Sequence, residues 1–102
     1  MHFQEEVVMY LEVTVALGEI EKPYRRGRLD RLLETIAILS DTVDLEQPIV
    51  DEQGRWRYTF KIEVESIPVL RETLHKNGRF KILLIRDVGS HSILYRRKDY
   101  II

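Results

Sequence analysis

The chain has 102 residues, of which 44% are hydrophobic and 32% charged, a composition that predicts one domain, 1–102, with a single modest core rather than a disordered chain. It contains no cysteine, which excludes a disulfide framework, a thiolate nucleophile and cysteine-held zinc or iron–sulfur chemistry. Sixteen basic against seventeen acidic residues leave a formal charge of −1, so the chain as a whole is not prepared for a polyanion.

The charge is nevertheless segregated. Residues 1–21 carry −5, 22–31 carry +4, 32–54 carry −6 and 55–102 carry +6, a distribution that predicts a dipolar surface if the blocks stay apart in the fold. Charges interrupt every apolar run well short of the roughly 20 residues that span a bilayer. Glu5 and Glu6 stand where a signal peptide would be basic. The expectation is a cytoplasmic protein with no membrane association.

The first predicted strand is Val7–Leu17, rich in β-branched residues, with Val7, Met9, Leu11, Val13, Val15 and Leu17 on one face. Its other face mixes Val8, Tyr10, Glu12, Thr14 and Ala16, which suits a sheet covered on one side and partly wet on the other. Gly18 marks the exit, and Pro23 and Gly27 predict that Lys22–Arg28 is a loop leading into a helix. That helix carries a stripe of Leu29, Leu32, Leu33, Ile36 and Leu39, with Asp30, Arg31, Glu34 and Thr35 elsewhere. It should weaken at Ser40–Asp41. Residues 42–50 predict an edge strand broken by Pro48, joined through Asp51–Gly54 to Arg55–Glu65.

Arg55–Glu65 alternates, with Trp56, Tyr58, Phe60, Ile62 and Val64 on one face. An exposed version of that stripe would be a large apolar surface, so it predicts core rather than a base-stacking platform. Ser66 then predicts a helix cap with Pro68 in the first turn, Ile67, Leu70 and Leu74 as the apolar stripe, and Asn77–Gly78 as a left-handed stop. In the next strand Phe80, Ile82 and Leu84 form one side and Leu83 and Ile85 the other, which predicts an internal position. Val88–His91 connects to a terminal hairpin strand within Ser92–Lys98, and Tyr100, Ile101 and Ile102 are too apolar for an undocked tail.

The order strand, helix, strand, strand, helix, strand, strand predicts an α+β fold. Its first six elements resemble a two-layer ferredoxin-like βαββαβ sandwich, to which an additional C-terminal strand is added; a different α+β sandwich fits the same order. Such architectures host unrelated functions and supply no mechanism.

Two function classes follow. The reverse sheet face, with Tyr10, Leu83 and Ile85, and the Tyr100, Ile101, Ile102 tail predict a non-catalytic protein-interaction or assembly module with a protein partner or homodimer. The alternative is an RNA or phosphorylated-ligand site on Lys22, Tyr24, Arg25, Arg26, Arg28 and Arg31, where arginines supply paired donors and Tyr24 a stacking ring. A solvated loop, its arginines paired with the flanking acidic blocks, accounts for the same segment. Enzyme chemistry has little support. His2, His75 and His91 have no metal-ligand spacing, and a polar hairpin turn explains Asp87, Ser90, His91 and Ser92 without catalysis. No metal or cofactor is expected.

Overall fold

The computed structural model describes residues 8–16, 22–40, 43–50, 56–78 and 80–100, with residues 22–28 described by their backbone alone. The elements are β1 (Met9–Ala16), α1 (Lys22–Leu39), β2 (Val43–Leu45), β3 (Ile49–Val50), β4 (Trp56–Val64), α2 (Ile67–Gly78), β5 (Lys81–Asp87) and β6 (Ile93–Arg96). They form a small α+β fold of two helices and a six-stranded antiparallel sheet in the order β2-β4-β1-β5-β6, with β3 also paired to β4. The predicted positions Val7, Leu17, Gly18, Asp41 and Asp51–Gly54 lie outside the described residues, as do Ile101 and Ile102.

Both helices pack on one face of the sheet. Leu32 and Ile36 of α1 and Leu70 and Leu74 of α2 meet Leu11, Val13 and Val15 of β1 and the Tyr58, Phe60, Ile62 and Val64 stripe of β4 in one cluster. Burial of each such side chain contributes on the order of 2 kcal/mol, an upper estimate against a compact unfolded chain. Pro48 falls between β2 and β3, as the sequence predicts for an interrupted edge. Ser66 caps α2 as expected: its Oγ accepts from the Val69 amide at 3.2 Å and its carbonyl from the Leu70 amide at 3.2 Å.

Four local expectations need correction. Lys22–Arg28 is helical backbone, not a loop: Pro23 sits in the first turn, where its missing amide costs no helical hydrogen bond, and the ~1 kcal/mol cost of Gly27 is outweighed by burial of Leu32 and Ile36. Leu33 is exposed and Thr35 buried: at about 100° per residue the buried face is the roughly 100° arc that holds Thr35, Leu32 and Ile36, and Leu33 lies about 60° past its Ile36 edge. The buried Thr35 hydroxyl donates to the Arg31 carbonyl at 2.7 Å. Gly78 keeps its φ outside the left-handed region; a Cβ there would collide with the Phe80 ring, so the glycine supplies space.

The fourth correction concerns β5. Thr14 pairs with Leu84 but Val15 with Ile82, so Leu83 is an extra residue in the ladder. Ile82 and Ile85 both join the helix-covered core, and Leu83 and Leu84, although buried, lie outside that cluster. Ile85 is therefore on the helix side rather than on the reverse face with Leu83. Strict alternation assigns it wrongly because the bulge resets the period. The predicted internal position of this strand stands, between β1 and β6.

The reverse face is charged across its middle. Register aligns Asp44, Lys61, Glu12 and Arg86 across β2, β4, β1 and β5, an alternation of sign from strand to strand. The adjacent row is closed by Thr14 and Thr59, whose hydroxyls are 3.1 Å apart. Beyond them the C-terminal turn returns to the sheet: the Arg97 amide donates to the Leu83 carbonyl and the Tyr100 amide to that of Arg97. Arg57, on the reverse side of β4, places its guanidinium over the Tyr100 ring, 5.1 Å from the centroid.

Two outcomes follow. Gly78→Ala should destabilise the protein by about 1–3 kcal/mol in chemical denaturation, because relieving the collision moves a buried phenyl ring; a gain, as expected for alanine in an unconstrained helix, contradicts the packing account. Glu12→Lys puts three like charges in one cross-strand row and should cost about 1 kcal/mol, with Glu12→Gln costing less and the difference shrinking in high salt.

Candidate functional site

Two surface concavities follow from how the helices sit on the sheet. The first is a groove of about 450 Å³ at the end where the last turn of α1 meets the first turns of α2 and the edges of β1 and β4. Val8, Ile38 and Val69 line it and are 45%, 68% and 50% exposed. Glu63 and Glu65 form an acidic border to the same groove.

The second concavity is a trench of about 650 Å³ between α2 and the β5–β6 pair. It exists because β6 carries the sheet past the helical layer. Tyr95 of β6 reaches back under α2, and Arg71 lies over its ring, 4.5 Å from the centroid. Ile67, Phe80 and Ile82 provide apolar lining, and Lys81, Arg97 and His75 stand at the polar surface. Glu72, the acidic residue of the lining, is paired with Lys76 one turn on. That ion pair and hydrogen bond hold the Glu72 carboxyl below its ordinary value.

The basic segment of the sequence reading divides. The side chains of Lys22, Tyr24, Arg25, Arg26 and Arg28 lie outside the described residues. Arg31 is described, and it ties the helices together: its Nε donates to the Asn77 carbonyl in the last turn of α2, and its Nη1 is 3.9 Å from Glu34. A cation at a helix C-terminus is electrostatically favoured.

The interface candidates are also dispersed. Tyr10 is exposed on the reverse face, Ile85 is in the core, Leu83 is 2% exposed and Tyr100 lies under Arg57. The trench residues Arg71, Lys81 and Arg97 were not singled out by sequence reasoning. The available signal was the +6 charge of 55–102 together with Arg71 and His75 one turn apart on α2, but neither tells that β6 extends beyond the helix.

The Asp87–Ser92 turn is built on backbone groups. The Asp87 carboxylate accepts from the Ser90 amide at 2.9 Å and the Ser90 hydroxyl at 3.2 Å, and His91 closes the turn with φ 62°. Among the described residues no three His, Asp or Glu side chains gather as a metal site, and no helix is long and apolar enough to cross a membrane.

The Ser90 amide, aided by its hydroxyl, the Gly89 amide and the charge of His91 and opposed by partial desolvation, holds the Asp87 carboxyl below its ordinary value. A lowered folded-state value means that the stabilisation is fully present above the unfolded carboxyl's titration, about pH 4, and is lost as pH falls through the folded value. Thermal melts should therefore show Asp87→Asn less stable than the parent above about pH 4, with the two curves converging in stronger acid. A difference that persists there contradicts the role of the ionised carboxylate.

Comparison of the chain with protein-family models, curated proteins and solved structures finds no match.

Proposed function

We propose that this chain is a non-catalytic protein-interaction module whose docking surface is the end groove around Val8, Ile38 and Val69. The observation that carries the reading is the convergence of Val8, Ile38 and Val69, three branched aliphatic side chains about half exposed, on one concavity. Covering them removes apolar surface from water, the main driving force of association. Glu63 and Glu65 beside them favour a partner that presents apolar side chains flanked by Lys or Arg. A two-fold dimer through the same patch brings two acidic borders into one interface, so a different protein fits better than a second copy.

The scaffold proposed for this module is the ferredoxin-like βαββαβ sandwich with an additional C-terminal strand. Taking β2 and β3 as one edge strand interrupted at Pro48 supports that reading, since the sheet then runs from this edge through β4 and β1 to β5, with β6 appended.

Ile38→Asp and Val69→Asp alter exposed positions and should leave the melting temperature within a few degrees, since surface substitutions change stability by about 0.5 kcal/mol or less. Each should abolish capture of a partner that the parent retains through a basic, apolar segment, while sedimentation of the parent alone shows a monomer across concentration. Retention of that partner by both variants, or a parent dimer that both variants dissociate, overturns the proposed occupant.

A further inference from the structure

We infer that the trench between α2 and the β5–β6 pair binds a small phosphate ester with an apolar organic part. Cations reach it from three separate elements: Arg71 from α2, Lys81 from the start of β5 and Arg97 from just beyond β6. Among the described residues neither Arg71 nor Lys81 has an acidic partner. Arg97 commits its Nε to Asp99 at 2.8 Å. Glu72 is paired with Lys76, so the acidic group in the lining is already compensated and the surplus charge of the trench is positive.

Geometry narrows the anion. The Arg71 guanidinium carbon lies over the Tyr95 ring, 4.5 Å from its centroid, a contact that restrains the side chain while its N–H groups remain donors able to form a forked pair of hydrogen bonds to oxygen. Lys81 and Arg97 add point charge from the sheet side. Cations arriving from several directions suit a tetrahedral, doubly charged phosphate better than a single planar carboxylate. The lining of Ile67, Phe80 and Ile82 offers little to a bare, hydrated ion and favours an apolar substituent behind the phosphate. A volume of about 650 Å³ is within the span of small-ligand sites. This trench is separate from the end groove, so its occupancy and partner docking are independently testable.

The test is titration of the protein at low salt with phenyl phosphate, inorganic phosphate and phenol, followed by amide and side-chain NMR. Phenyl phosphate should give saturable shifts at Arg71, Lys81 and Tyr95, bind several-fold more tightly than inorganic phosphate, and weaken as salt is raised; phenol should not saturate. Arg71→Gln combined with Lys81→Gln should weaken phenyl phosphate at least about tenfold with the fold retained by NMR, and Lys98→Gln should leave binding within about twofold, as expected for an exposed charge outside the lining. Three results overturn the inference: no saturable shift at millimolar phenyl phosphate, equal affinity for phosphate with and without the phenyl group, or shifts confined to Lys22–Arg31. If the double variant does not fold, Lys81→Gln alone must still weaken phenyl phosphate for the inference to stand.

Discussion

The insertion of Leu83 into the β1–β5 ladder is the constraint on which the remaining architecture turns. Without it β5 would alternate, and Ile82 and Ile85 could not both face the helices. With it, both do, and two consecutive leucines are left off the core cluster. Both leucines are buried, and the Arg97 amide on the Leu83 carbonyl continues the β5–β6 pairing beside them before Tyr100 reaches Arg57 of β4. One extra residue thus takes Ile85 from an expected apolar contact face into the helix-covered core.

A second bulge shapes the other edge. Ile85 pairs with Tyr95 but Arg86 with Ile93, leaving Leu94 as the extra residue of β6. A bulged, short strand at a sheet edge resists pairing with another chain. Tyr95 pairs with Ile85 and shares its helix side, where it meets Arg71, so the trench owes its aromatic wall to that pairing. The trench and the end groove lie at different boundaries of the same helical layer, one where a strand extends past it and one where the helix ends leave the sheet uncovered.

Much of the fold was legible because its signals are local. The alternation of Trp56–Val64, the cap at Ser66 and the break at Pro48 each express a rule acting within a few residues, and each appears where expected. The start of α1 was obscured by Pro23 and Gly27, whose usual meaning as punctuation yields when proline falls in a first turn and packing offsets the glycine. The β5 faces were misread because a bulge leaves no mark in a run of Ile82, Leu83, Leu84 and Ile85: every residue is apolar, so no alternation reports the slip. Sites were the least legible. Arg71, Lys81 and Arg97 belong to three elements, and their convergence is a property of sheet width against helix placement rather than of spacing along the chain.

The charge row of Asp44, Lys61, Glu12 and Arg86 decides between the two surfaces on which a partner could be sought. Docking an apolar protein on the reverse face would take that row out of water, and even a paired set of charges loses more hydration than its mutual attraction returns unless every hydrogen bond is satisfied. The groove around Ile38 and Val69 carries a smaller penalty: Val8, Ile38 and Val69 present exposed aliphatic side chains there, and Glu63 and Glu65 stand at its border, where partner charges can meet them with water still present. The proposed association through the helix ends therefore places a partner beside two carboxylates at a groove border rather than over a four-residue charged row in the middle of the sheet.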